Sequence, residues 1–138
     1  MAALTAERGC VVLDAGGVSA IAEGSERARA VLERARRSGW IVVIPTPVLA
    51  EVHSGRRDHA HIDRVVNAVD LLIDTTATRA REAGELRAIS GVDDVVDAIV
   101  VAEAAASLPA IILTSDPGDI ARLVEASGAA TRITVIAV

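Results

Sequence analysis

The chain contains no lysine, no phenylalanine and no tyrosine. All fourteen of its basic residues are arginine, so any chemistry that needs a lysine is excluded. With Phe and Tyr absent, nucleic-acid bases have no such ring to stack on. Cysteine occurs once, as Cys10 at the start of an apolar run, and reads as a buried free thiol in a reducing compartment. The apolar stretches are too short, or too interrupted by charge, to cross a bilayer. Residues 1–8 carry Glu7 and lack a cationic region followed by a long apolar one, so no signal peptide is expected. These absences point to a cytoplasmic protein. The net charge of −5 argues against nonspecific coating of nucleic acid, which needs a basic surface. It leaves room for an enzyme that holds nucleic acid through a metal ion and a local arginine patch.

What is present is an ordinary globular composition, rich in Ala, Val and Ile, with 24% charged residues. A chain of 138 residues suits one domain, residues 1–138, able to bury roughly two thirds of its unfolded surface. Short apolar runs at residues 10–14 (CVVLD), 40–44 (WIVVI), 71–73, 110–113 and 133–138 predict strands. Between them lie helical stretches. Residues 25–38 put Ala28, Val31, Leu32 and Ala35 on one face and stop at Gly39. Thr46 and Pro47 read as N-cap and first helical residue of a helix bearing Val48, Leu49 and Val52. A polar break at residues 55–58 precedes a helix over 59–69. A further helix over 76–89 exposes Arg79, Arg81, Glu82, Glu85 and Arg87 and ends at Gly91. Residues 94–107 form a helix almost without polar residues after Asp97, hence buried, and residues 117–127 form the last one. Strands alternating with helices predict an α/β fold: a central parallel sheet with helices on both faces.

Such sheets bind ligands at the carboxyl ends of their strands. Asp14 closes the first strand, and Asp116 lies just past the strand at 110–113. Glu51 sits on the helix leaving the second strand, and Asp97 in the first turn of the buried helix. Each acid also has a local reading. Asp116 before Pro117, with Asp119 three residues on, has the signature of an N-cap. Asp94 reads as a cap, and Asp97 favours the positive end of its helix. Taken as a set, however, carboxylates about 4 Å apart repel by roughly 4 kcal/mol at an effective dielectric near 20 unless a cation lies among them. An all-carboxylate set suits Mg²⁺ or Mn²⁺ rather than zinc. The three histidines, His53, His59 and His61, crowd one polar segment and read as surface residues. Other acid-edged α/β proteins fit poorly. A receiver domain and a P-loop both need a lysine, and a haloacid-dehalogenase phosphatase needs a second aspartate two residues after the first, where this chain has Gly16.

The phrases VVLDA, PTPVLAEV, DDVVDAIVVAEAA and ILTSDPGDI, in that order, resemble the PIN domain and in particular the small ribonuclease toxins of VapC type. The resemblance runs from Val11 to the C-terminus. It implies a PIN-like fold and metal-dependent endonucleolytic cleavage of RNA. It also implies that Asp14, Asp97 and Asp116 hold Mg²⁺ or Mn²⁺ and that Glu51 completes the acidic quartet. Thr114 or Ser115 matches a hydroxyl position near the metal, and Asp94 and Asp119 match accessory acids. Such toxins pair with a small antitoxin and dimerise. The chain departs from many relatives by having Gly16 where they carry Ser or Thr; Ser19 is a candidate substitute. On this reading water attacks the phosphodiester, leaving a 5′-phosphate and a 3′-hydroxyl. Arg56 and Arg57, in the polar break, are the candidate phosphate contacts. The competing reading is a PIN-like module that binds RNA or a protein partner without efficient cleavage.

Overall fold

Five strands form one sheet in the order β3-β2-β1-β4-β5, with every neighbouring pair parallel. They are β1 (Cys10–Leu13), β2 (Ile41–Pro45), β3 (Leu71–Ile73), β4 (Ala110–Thr114) and β5 (Ile133–Ala137). The computed structural model describes residues 8–138; residues 1–7, and with them most of the stretch read for a leader, lie outside the described residues.

Parallel neighbours cannot be joined by a tight hairpin, so each link is a helical crossover. The helices are α1 (Ala15–Ala22), α2 (Glu26–Arg37), α3 (Thr46–Val52), α4 (Ala60–Ala68), α5 (Ala77–Ser90), α6 (Val95–Ala106) and α7 (Pro117–Ser127). They flank the sheet in two groups: α1 packs on α2, α3 and α4, while α5, α6 and α7 pack on one another. Covered on both faces, the central strands need apolar residues at consecutive positions rather than alternate ones. Val11, Val12, Leu13, Val42, Val43, Ile44, Ile112 and Leu113 are all buried. The edge strand β3 is less covered, and Leu71 and Leu72 are exposed.

Several local readings of the sequence need revision. The sequence pattern assigns no helix over residues 15–22, where Gly16 and Gly17 interrupt it. The helix α1 forms there because the Gly17 N–H donates to Asp14 Oδ1 at 2.8 Å, which caps the helix directly at the end of β1. Glycine at 17 also lets α1 lie against β4: a Cβ there would stand 2.6 Å from the Leu113 carbonyl oxygen. Thr46 is the first helical residue of α3 rather than its cap; Pro45 holds the cap position without a side-chain bond.

Arg79, expected on the exposed face of α5, is instead half-buried. Its Nε donates to Glu103 Oε1 at 3.2 Å and its Nη1 to Glu82 Oε2 at 2.6 Å. Glu103, in the apolar run of α6, is only 6% exposed. Removing one partner of such a pair strands the other charge. Arg79→Ala is therefore expected to lower unfolding stability by about 3 kcal/mol, read as a shift of the urea midpoint. Cys10 is buried as expected, and its Sγ donates to the Ser107 carbonyl at 3.4 Å. Burial, and then the charge of Glu103, push the thiol up to about 11, which keeps it protonated and inert.

Candidate metal centre

The strand order reverses at β1: β2 lies on one side and β4, formed much later in the chain, on the other. At such a switch point the two crossovers leave in opposite directions and open a crevice at the carboxyl ends. Leu13 and Leu113 are level in the register, so Asp14 and Thr114 stand side by side at the mouth. The Asp14 N–H still reaches the Leu113 carbonyl at 3.4 Å, which fixes its backbone to β4.

Thr114 is fully buried and ties two acids together. Its Oγ1 accepts the Asp116 N–H at 2.9 Å, and its hydroxyl bonds the Asp14 carboxylate. Asp14, 4% exposed, is thus held by Gly17 on one side and Thr114 on the other. The Asp116 carboxylate makes no capping bond to α7; only its carbonyl accepts, from the Ile120 N–H at 3.4 Å. The cap signature at Asp116-Pro117 therefore starts the helix without consuming the carboxylate. Asp94 does cap: its Oδ1 accepts the Asp97 N–H at 2.9 Å and sets the first turn of α6.

Carboxylate oxygens of Asp97, Asp116 and Asp119 lie within 4.8 Å of one another. The resemblance implies a metal set of Asp14, Asp97 and Asp116, with Asp119 an accessory acid. Asp119 is one helical turn from Asp116 on α7, and that spacing was the available signal. Asp14 stands outside the close triple but inside its field. The Asp97 carboxyl is pushed up to about 7, by burial first and then by the charges of Asp94, Asp14, Asp116 and Glu51. Burial also raises Asp14; the hydrogen bonds from Thr114, Gly17 and Gly16 pull it back, and the charge of Asp116 raises it further. Glu51 is exposed as a residue, yet its carboxyl is raised by partial loss of water and then by Asp94 and Asp14.

The acids from four elements thus act on one another as a single electrostatic unit. No basic side chain is among the groups that shift Asp14, Glu51 or Asp97. Repulsion of this kind is what a hard divalent cation relieves, and the oxygen-only donor set fits Mg²⁺ or Mn²⁺. The histidines stay apart: His53 Nδ1 lies 3.2 Å from Asp63 Oδ1, and His59 Nδ1 lies 2.6 Å from Ser54 Oγ. Arg56 and Arg57 are exposed after α3; Arg56 Nη2 donates to Asp58 at 2.9 Å, and Arg57 opens a short 3-10 turn.

No protein-family model matches this sequence, and no curated protein does. A solved structure does. It is described as VapBC2 from Rickettsia felis bound to a DNA fragment from their promoter, and it aligns with a TM-score of 0.65 over 94% of this chain and 98% of that one, at 17% identity. The two chains share a fold. It is the PIN-like architecture that the four sequence phrases led one to expect. Among the described residues no helix is long and apolar enough to cross a membrane.

Proposed function

We propose that this chain is a Mg²⁺- or Mn²⁺-dependent endoribonuclease and the toxin of a toxin–antitoxin pair. The observation that carries the reading is the close triple Asp97, Asp116 and Asp119, set beside Asp14 and Glu51 at the sheet's switch point. The shared fold with a chain of a VapBC2 complex supports it.

A divalent cation held by Asp97, Asp116 and Asp119, within the field of Asp14, would supply positive charge to the phosphate and lower the pKa of a nearby water. The residues do the rest. Thr114 holds Asp14 and the backbone of Asp116 in place. Asp94 holds the first turn of α6 and so aims Asp97. Glu51, whose proton affinity is raised, takes the proton of the attacking water at its carboxylate. The water oxygen bonds to phosphorus and the bond from phosphorus to the 3′-oxygen breaks. That oxygen takes a proton from solvent, leaving a 3′-hydroxyl and a 5′-phosphate. Arg56 and Arg57 contact flanking phosphates. The partners are an RNA substrate, a small antitoxin protein and a second copy of this chain in a homodimer, all in the cytoplasm.

The test is cleavage of a tRNA pool in Mn²⁺ and in EDTA, by the wild type and by Asp14→Asn of matched melting temperature. Cuts that need Mn²⁺ and vanish in Asp14→Asn are expected. A folded wild type that neither cuts nor gains thermal stability with Mn²⁺ would leave the non-cleaving PIN-like module as the better reading.

A further inference from the structure

A cleft on the α1 side is bordered by Ala15 and Ser115, the sequence neighbours of Asp14 and Asp116. It measures about 650 Å³ and is lined by Gly16, Ser19, Glu23, Ser25 and Ser115 among others. Ser115 lines the cleft and lies in the chain between Thr114 and Asp116, so the segment that carries Asp116 also forms part of the cleft wall. Gly16 makes that wall possible. A Cβ at position 16 would stand 2.5 Å from Ser115 Cβ and 2.7 Å from the Ser115 backbone nitrogen, and would collide with its hydroxyl. Any other residue at 16 pushes the 114–116 segment off α1.

The lining has a definite chemistry. Three serine hydroxyls can donate and accept. Ser25 Oγ accepts the Ala28 N–H at 3.2 Å and keeps its own proton free to donate. The Ser19 and Ser115 hydroxyls have no hydrogen-bond partner among the described residues. The one charged side chain in the lining is that of Glu23, an acceptor only, so the cleft does not favour a phosphate. It favours a neutral group that presents hydroxyls and N–H donors, in a space of the size that takes a small molecule. A ribose and its base are such a group, read by hydrogen bonds rather than by stacking.

We infer that this cleft seats the ribose and base of the nucleotide next to the cut phosphate, and that Ser115 hydrogen-bonds that nucleotide where the strand passes into the acids. The inference rests on the ribonuclease reading above and adds to it a substrate subsite on α1.

The test uses the whole chain and fluorescein-labelled hexaribonucleotides of mixed sequence. Binding is followed by anisotropy in Ca²⁺ and cleavage in Mn²⁺, with Ser19→Leu filling the cleft and Ser115→Ala removing the hydroxyl at position 115. Ser19→Leu is expected to raise KM and Kd about tenfold with kcat within about twofold, and Ser115→Ala to raise them about fivefold, the scale of one lost hydrogen bond. Neither variant should change the rise in melting temperature that Mn²⁺ gives, which also shows that both fold. If the wild type cuts the hexamers and both variants match it in KM and Kd, the subsite is overturned while the ribonuclease reading stands. If the wild type neither binds nor cuts RNA, the ribonuclease reading falls and takes the subsite with it.

Discussion

Asp116→Ala is expected to reduce RNA cleavage by roughly 10²–10³-fold, the scale seen when one preorganised charge-stabilising group is lost, without loosening α7. The two readings of this residue separate here. If Asp116 served chiefly as a helix cap, its removal would cost about 1 kcal/mol of stability. Its carboxylate makes no capping bond, and its oxygens lie close to those of Asp97 and Asp119. The metal-free variant should therefore be at least as stable as the wild type, because one member of a repelling set is gone. Urea unfolding in EDTA and cleavage in Mn²⁺, measured on the same preparation, decide it. A loss of about 1 kcal/mol with activity retained would return Asp116 to a capping role.

The second large effect is on stability against pH. The Asp97 carboxyl, with an ordinary value of 3.8, is pushed up to about 7 in the folded chain. Between those values the folded state binds a proton that the unfolded state has released. Stability from this group is thus full below about pH 4 and is lost as pH rises through about 7. The interval from 3.8 to about 7 corresponds to ~4 kcal/mol at 1.36 per pH unit, and solvent screening at a half-buried site reduces this to ~2. The metal-free wild type should fall by that amount relative to Asp97→Asn between pH 4 and pH 8. Mn²⁺ at 100 times its Kd should return about 2.7 kcal/mol to the wild type at pH 8 and much less to the variant. Chemical denaturation at the two pH values, with and without Mn²⁺, reads both. A difference that stays flat with pH would place Asp97 outside the shared field.

Much of the architecture could be read from the sequence because a doubly covered parallel sheet writes itself as blocks of Val, Ile and Leu. The helix from Pro117 to Ser127 and the strand Leu71–Ile73 were legible to the residue, the first with its start marked by Asp116-Pro117. The helix α1 was not legible. Its sequence, AGGVSAIA, has low intrinsic propensity, and it forms through a cap from Asp14 and close contact with β4. Arg79 was misplaced for a similar reason. Its partner Glu103 lies 24 positions away, and no local pattern reports a pairing across two helices. Among the acids, strand ends pointed to Asp14 and Asp116, and a helix start pointed to Asp97. The close approach of Asp119 depends on how α7 is set against α6, which only packing fixes.

The pairing of Leu13 with Leu113 has a consequence for when the chain becomes competent. β1 and the strand that completes the crevice are far apart in the chain, at Leu13 and Leu113. At 5–20 residues per second, roughly 5–20 s of synthesis pass between them. By the end of that interval Asp14, Glu51 and Asp97 have been made, but Asp116 and Asp119 have not. A nascent chain halted before β4 should therefore cut no RNA and gain no protease resistance from Mn²⁺. The ribosome that makes this chain would meet the proposed activity only after β4 and α7 have been made.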